Sequence, residues 1–277
     1  MNEADYNVSL RHIKLIDHTT FVNGLRWPNV RAMDCENSAL AVDPSAVQLS
    51  ESNLESLNLA GTNATDDFLR MLPDMPRLQE LNVSRTTVTG SGLIDFRNSP
   101  ALETLSLRGT NLSNDTLKYL RLLPNLKRLD LSHTAIDNRG IYRLRHNTKL
   151  ISLDLCQTRI DRDASIVDLV GHLPELQFLY VNGTQVDDSF IEAIKGFPKL
   201  HEIHVAGTNV SANALRKMLQ AMPQGYLQYL NGIGYGLMRG SGQPQMDAVT
   251  EKEFGGVESS IFFSKYDTNL EPRKRWQ

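Results

Sequence analysis

Cysteine is scarce in this 277-residue sequence, and Cys35 and Cys156 are the two examples. Two thiols cannot build the disulfide framework that holds small secreted domains together. The formal net charge is −3, so the chain also lacks the basic surplus typical of proteins that bind nucleic acid or anionic membranes. We therefore expect no nucleic acid and no membrane among its partners.

Long apolar runs are missing as well. No stretch approaches the roughly 18 apolar residues that a helix needs to span a bilayer. The first residues, MNEADYNVSLRHIKLIDH, carry acids early and contain no uninterrupted apolar run, which argues against a secretory signal or a mitochondrial presequence. The sequence predicts an intracellular, cytoplasmic protein.

The motifs of common catalytic and metal sites are also missing. The sequence contains no GxSxG, GxxxxGK[ST], CxxC or HExxH. The segment HEIH at 201–204 pairs two histidines, but residues three apart on a strand point to opposite faces and cannot share a metal ion. We expect no enzyme activity, no cofactor and no metal.

The sequence does contain a repeat, which recurs every 24 residues except for one step of 26 residues. Seven units begin at Leu54, Leu78, Leu102, Leu126, Leu150, Leu176 and Leu200. The first, fourth and sixth positions of each unit are apolar, which is the alternation of a strand with one buried face. The ninth position is threonine in all seven units, namely Thr62, Thr86, Thr110, Thr134, Thr158, Thr184 and Thr208.

The second half of each unit has helical spacing. The twelfth position holds a residue that can cap a helix: Thr65, Thr89, Ser113, Asp137, Asp161, Asp187 and Ser211. Apolar residues then follow three apart, as at Leu117, Leu120 and Leu123. Each unit therefore predicts a strand, a turn and a short helix, and stacked units would share one continuous core.

The pattern L-x-x-L-x-L-x-x-T-x-[VIL] resembles the leucine-rich repeat family, with threonine where asparagine is commoner. The resemblance implies an α/β repeat solenoid, an arc with a parallel concave sheet and short convex helices. In that family the asparagine bonds neighbouring turns, so we expect the threonine hydroxyls to form a shorter version of that ladder. Similar threonine-type repeats occur in ZYG-11-like ubiquitin-ligase receptors, although no ligase-binding box is evident here.

The repeat sets the predicted domain boundaries. Residues 1–53 are predicted to be degenerate repeats that cap the N-terminal end, with Phe21 and Trp27 in the core and Cys35 buried. Residues 54–223 form the seven repeats, and 224–233 form a C-terminal cap strand. Residues 234–277 are rich in glycine and polar residues at first, which predicts a linker and a flexible tail. An alternative is that the tail is a short peptide that docks on this solenoid or on a partner, with Phe262, Phe263 and Tyr266 as its anchors.

The residues that face the concave side are the third, fifth and seventh of each unit. In the middle and late units these positions and the adjoining turn gather a set that we call the concave patch: Arg108, Arg128, Asp130, His133, Asp154, Phe178, Tyr180 and His204. Exposed aromatics beside arginine are typical of protein interfaces. The alternative is a chance grouping on a structural surface. Cys156 is expected on the same face as an ordinary exposed thiol.

Three functions remain open from the sequence. The first is a non-catalytic interaction or scaffold module that binds a protein on its concave face. The second is a substrate-recognition adaptor in ubiquitin-dependent turnover. The third is a structural subunit of a larger assembly, anchored by the C-terminal tail.

Overall fold

The structure is a computed structural model that describes residues 5–42, 51–161, 169, 171–200, 202–221, 226–231, 234–239 and 247–249. The chain alternates between short strands on one side and short helices on the other. This arrangement confirms the predicted α/β repeat solenoid.

One 12-stranded sheet runs through the molecule, and its strands lie in chain order except that β2 and β4 pair separately. Strands β1, β3 and β5 to β12 run parallel, and β13 and β14 continue the sheet antiparallel. The strands are β1 (Tyr6–Ser9), β2 (Ile16–Asp17), β3 (Val30–Asp34), β4 (Leu40–Ala41), β5 (Ser56–Asn58), β6 (Glu80–Asn82), β7 (Thr104–Ser106), β8 (Arg128–Asp130), β9 (Ser152–Asp154), β10 (Phe178–Tyr180), β11 (Glu202–His204), β12 (Tyr226–Asn231), β13 (Gly234–Arg239) and β14 (Asp247–Val249).

Short helices occupy the opposite side of the units. The α-helices of the described residues are α1 (His18–Arg26), α2 (Asp66–Met71), α3 (Asn138–Ile141), α4 (Asp188–Ile194) and α5 (Ala212–Ala221). Two units use the tighter 3₁₀ helix instead, over Ser91–Asn98 and Thr116–Leu122, and in a third unit a 3₁₀ helix over Tyr142–His146 follows α3.

The core lies between the sheet and the helices. In the unit that starts at Leu102, the first, fourth and sixth residues have no exposed surface, and the helical residues Leu117 and Leu120 meet them from the other side. The same columns are buried in the neighbouring units, so one cluster extends from Ile16 to Met218. A single unit could not enclose its leucines in this way, and stacking is what buries them.

The eighth position of each unit turns the chain away from the sheet in the left-handed region. Glycine takes this conformation at Gly61 (φ +65°) and Gly109 (φ +62°), whereas Arg85, His133 and Gln157 adopt φ +56° with a side chain present. The backbone N–H at this position donates to the carbonyl of the seventh residue in the next unit, at 2.7–2.8 Å. The backbone therefore supplies the bonds between turns.

The threonine column does not form a ladder between turns, so that expectation is wrong. Each hydroxyl donates to the carbonyl oxygen three residues earlier in its own unit, as in Thr134 to Leu131 at 2.6 Å and Thr184 to Val181 at 2.6 Å. The bonds between neighbouring turns come from the backbone N–H of the eighth position instead. Threonine therefore closes the turn of its own unit.

The predicted capping residues are confirmed in several units. Thr65, Asp137, Asp187 and Ser211 each accept a hydrogen bond from a backbone N–H two or three residues later. Thr89 does not cap a helix, because its hydroxyl donates to Asp66 Oδ2 at 2.7 Å in the preceding unit. The residues that would follow Asp161 in its predicted helix, 162–168, lie outside the described residues.

The N-terminal segment extends the sheet through β1 and β3. Phe21 and Cys35 are fully buried, as predicted, but Trp27 is 54% exposed and its predicted core position is wrong. Helix α1 ends at Arg26, and its inner face is already filled by Phe21, Val22 and Leu25. Trp27 follows as the C-cap residue, with its backbone N–H bonded to Asn23 O, so it leaves that inner face.

At the C-terminal end, strand β12 lies within residues 224–233, which the sequence predicts to form the cap strand. Strands β13 and β14 lie within the segment that the sequence predicts as linker. Glycines at 234 and 236 weaken the strand signal in the sequence, since glycine is depleted in strands. Residues 250–277, with the predicted tail anchors, lie outside the described residues, and the domain boundaries stay a prediction.

Candidate functional site

The concave patch divides into buried carboxylates and larger side chains around them. Asp130 and Asp154 are 1% and 6% exposed, so the expectation that they are open to a partner is wrong. Their short side chains lie between closely spaced strands, and each is drawn back to its own backbone. Arg108, Arg128, Phe178, Tyr180 and His204 are half-buried, and His133 is exposed.

A repeated turn draws the asparagine and aspartate side chains of the fifth position back to their own backbone. Its side-chain oxygen accepts a hydrogen bond from the backbone N–H two residues later, at 3.0 Å for Asn58 and Asn82, 2.9 Å for Asp130 and 2.8 Å for Asp154. Asparagine and aspartate are the residues that make this turn. The recurrence of these residues at the fifth position is the sequence signal for this turn, which the alternation of apolar residues alone does not predict.

Asp130 is the centre of a hydrogen-bond network. Its Oδ1 accepts from Ser132 N at 2.9 Å and from Ser132 Oγ at 2.6 Å, and its Oδ2 accepts from Ser106 Oγ at 3.2 Å. Arg108 Nη1 donates to Ser132 Oγ at 2.9 Å. The guanidinium of Arg108 thus reaches the buried carboxylate through one hydroxyl.

Asp154 lies directly beside Asp130, because the two residues are paired in the register of β8 and β9. Burial, followed by the charge on Asp130, raises the pKa of Asp154 to about 7 from the ordinary 3.8. Burial also raises the pKa of Asp130, although the bonds from Ser132 oppose that shift. Since Asp130 has more donors, it retains its charge more readily, and Asp154 holds a proton near neutral pH.

Cys156 is half-buried and not the exposed thiol expected from the sequence. Burial and the neighbouring Asp154 carboxylate raise its pKa well above the ordinary 9.0. A thiol that stays protonated is a weak nucleophile. The position therefore gives no sign of reactive cysteine chemistry.

At strand β9, smaller side chains lie between larger ones on the concave face, and we call this row of residues the notch. The register places Ser152 between Arg128 of β8 and Phe178 of β10, and Asp154 between Asp130 and Tyr180. Ser152 is 8% exposed, because small side chains lie between larger ones. The notch has one arginine side, one aromatic side and a floor of serine and aspartate.

The aromatic side continues into strand β11. The rings of Tyr180 and His204 lie 4.5 Å apart between centroids and are tilted by 57°. His204 Nε2 is 2.7 Å from Glu202 Oε1, and Glu202 is 7% exposed. These contacts fix the orientation of the imidazole beside the tyrosine ring.

His133 lies at the edge of the notch, in the turn after strand β8. Burial and the charge of Arg108 lower its pKa below the ordinary 6.5, while Asp130 acts in the opposite direction. The ring is therefore neutral at physiological pH. The structure brings His133, Arg108 and Asp130 together, and Tyr180 and His204 form the second group.

Among the residues that the structure describes, no group of three or more His, Cys, Asp or Glu side chains could hold a metal ion. In the same part of the chain, no helix is both long enough and apolar enough to cross a bilayer. The described geometry of the patch consists of hydrogen-bonding and aromatic contacts.

Comparisons with known proteins agree on the repeat. A family profile described as "Leucine Rich repeat" matches residues 123–144. A search of curated protein sequences finds no match. The more specific likeness to ZYG-11-like receptors stays a prediction.

Solved structures with a similar fold come from bacteria and yeast. Internalin C2 of Listeria monocytogenes is 16% identical, with 76% of each chain covered and a TM-score of 0.49. An internalin, InlF, of the same organism is 18% identical, with 72% of this chain and 67% of that chain covered and a TM-score of 0.47.

The yeast complex of Rad7 and Elc1 contains a chain that is 18% identical, with a TM-score of 0.51. The match covers 75% of this chain and 65% of that chain. An identity this low concerns the fold alone. The repeated units, their parallel sheet and the profile match over residues 123–144 together give this chain the fold of a leucine-rich repeat solenoid.

Proposed function

We propose that the protein is a non-catalytic interaction module that binds a segment of a protein partner in the notch of its concave patch. The observation that carries this proposal is the burial of Ser152 between Arg128 and Phe178. The larger side chains that cover Ser152 bring a guanidinium and an aromatic ring to the same part of the surface, where a partner segment can contact both.

The chemistry of the notch favours a mixed partner segment. Arg108 and Arg128 suit a carboxylate, since a guanidinium offers several donors in a fixed plane. Phe178 and Tyr180 suit an apolar or aromatic side chain, and such residues contribute much of the binding free energy in interfaces. A partner that presents an acidic residue next to an apolar one would satisfy both sides.

Affinity purification with mass spectrometry tests the proposal. The bait is the full chain, compared with Arg128→Glu/Tyr180→Ala. The matched control is Arg77→Glu/Tyr6→Ala, which makes the same changes at exposed residues away from the notch. The proposal predicts a partner that is lost with the first variant and retained with the control. Both variants should unfold at the same temperature as the parent protein, which shows that they are folded. An identical set of partners in all three baits would then refute the proposal.

A second candidate is an adaptor in ubiquitin-dependent turnover. It is supported by the similar fold of a chain in the yeast complex of Rad7 and Elc1. In this case the co-purifying proteins would include a ligase component whose recovery does not depend on Arg128 or Tyr180. Repeated purification without any ligase component would reject it.

The third candidate, an assembly subunit anchored by its tail, concerns residues outside the described part of the chain. Deletion of residues 250–277 leaves the described strands in place and tests it directly. Loss of the partner on deletion would support this candidate, whereas retention would exclude it.

A further inference from the structure

Three consecutive units carry an arginine at their twentieth position, on the helical side. We call Arg97, Arg121 and Arg145 the arginine column. Each lies in the last turn of a 3₁₀ helix. Arg97 and Arg121 are exposed, and Arg145 is half-buried. Because the units stack in register, the three guanidinium groups follow one line across the convex face.

The column is not neutralised by carboxylates of the described residues. Two acids of the helical halves are paired with other arginines: Asp95 with Arg70 at 4.0 Å, and Asp115 with Arg143 at 3.5 Å. No ion pair between the column and a described carboxylate is present. Three cations thus remain available on a chain whose net charge is −3.

The basic character is strongest at the unit that starts at Leu126. Its helical half, residues 138–149, reads NRGIYRLRHNTK and contains arginines, a lysine and a histidine but no acid. Tyr142 is 40% exposed in this segment, and the guanidinium carbon of Arg145 lies 4.3 Å from its ring centroid. An exposed tyrosine stacked on an arginine is a composition typical of interface hot spots.

We propose that the arginine column is a second interaction surface, which binds an acidic, extended segment of a protein. Neighbouring strands are about 4.8 Å apart, and packed helices are about 8–10 Å apart, so the spacing along the column lies between these limits. Alternate residues of an extended chain are about 6.7 Å apart and fall within the same range. Successive acidic side chains on one face of such a segment can therefore meet successive arginines.

A protein segment fits better than a nucleic acid. The column is confined to three units, which is a short line of charge for a long phosphate backbone. Nucleic-acid binding normally needs a broad basic surface on a basic domain. A short acidic segment needs only the local line of charge. This surface lies on the opposite side of the units from the concave patch, so the two can be tested independently.

The experiment measures binding of a fluorescein-labelled octaglutamate peptide to the full chain by fluorescence anisotropy at low salt. We expect the variant Arg97→Gln/Arg121→Gln/Arg145→Gln to bind about tenfold more weakly, from three exposed charge contacts. The control variant Arg26→Gln/Arg77→Gln/Lys217→Gln removes the same charge from exposed positions elsewhere and should bind as the parent does. High salt should abolish binding to the parent.

Other outcomes would overturn the proposal. Undetectable binding of octaglutamate to the parent at low salt would do so, as would an equal loss in the control variant, which would indicate net charge alone. A single-stranded oligothymidylate that binds as tightly as the peptide, with the same dependence on the column, would assign the surface to nucleic acid. The variant Arg97→Lys/Arg121→Lys/Arg145→Lys keeps the charge and should retain most of the binding. Failure of this variant together with altered thermal unfolding would reveal a folding defect.

Discussion

Two pairs of fifth-position residues occupy equivalent places in the sheet. One pair contains a side-chain amide where the other contains a second carboxylate. In the early half, Asp34 of β3 lies beside Asn58 of β5, and Asn58 Nδ2 donates to Asp34 Oδ1 at 3.0 Å. In the late half, Asp130 of β8 lies beside Asp154 of β9, so that a second carboxylate replaces the donating amide. The backbone and the turn are the same in both halves.

The difference separates what the fold needs from what it does not need. The turn requires an oxygen that accepts a backbone N–H, and asparagine supplies it at Asn58 and Asn82 as well as aspartate does at Asp154. A second buried carboxylate adds charge without adding a turn. We interpret the Asp130–Asp154 pair, with Arg108 beside it, as part of the binding face of the late half.

The largest expected effect comes from converting the early pair into the late one. Asn58→Asp replaces the amide that donates to Asp34 with a second carboxylate in a buried position. We expect the free energy of unfolding at pH 8 to fall by about 3 kcal/mol, as for an uncompensated buried charge. Denaturant unfolding measures this change.

The control for this variant is Asn82→Asp. Asn82 is half-buried, and its register neighbours are Asn58 and Ser106 rather than an acid. We expect a smaller loss, about 1 kcal/mol. Equal losses at the two positions would show that the neighbouring carboxylate does not matter.

The second effect comes from converting the late pair into the early one. Asp154→Asn keeps the acceptor for Cys156 N and supplies an amide to Asp130, as Asn58 does for Asp34. The pKa of Asp154 is raised from 3.8 to about 7, so its stabilising effect is complete below pH 3.8 and is lost as the pH rises through 7. We expect the variant to be more stable than the parent at pH 8 by about 1–3 kcal/mol.

Unfolding measured from pH 4 to pH 8 checks this prediction. The difference between the variant and the parent should grow across that interval, since other titrating groups are common to both proteins. A constant difference over the whole interval would mean that Asp154 does not titrate there.

The smallest effect concerns the eighth position. His133→Gly should raise the free energy of unfolding by about 0.5–1 kcal/mol, because glycine adopts positive φ without strain, as at Gly61 and Gly109. Partner binding should weaken, since His133 belongs to the concave patch. Gln157 has the same backbone φ as His133 but lies outside the concave patch. The variant Gln157→Gly should therefore raise the free energy of unfolding without weakening partner binding. Thermal unfolding and the purification assay together distinguish the two effects.

Most of the fold follows from the sequence because the repeat aligns equivalent residues. The apolar columns predict the strands, the helices and the core, and the cap residues predict helix starts at Thr65 and Asp187. The prediction fails where two local bonds compete. Thr89 bonds to Asp66 of the preceding unit instead of capping a helix. The ninth-position threonines bond within their own turns, because backbone N–H groups already bond the neighbouring turns, and residue spacing alone does not reveal those backbone bonds.

The candidate site is less predictable for a related reason. Alternation correctly assigns Arg128, Asp154 and Tyr180 to one face of the sheet, but it does not give their exposure. A short side chain between two strands is buried by longer neighbours, whereas Arg128 and Tyr180 reach past them. Exposure therefore depends on the adjacent units, which are 24 or 26 residues away in the sequence.

The most direct test of the binding face is site-specific photo-cross-linking. Benzoylphenylalanine is placed at Phe178 in one protein and at Glu80 in another, which are third-position residues of the late and early halves. After irradiation of the complex recovered by affinity purification, we expect a covalent adduct with the partner from position 178 and none from position 80. An adduct from position 80 alone, or no adduct at 178 in an intact complex, would contradict the assignment of binding to the late half.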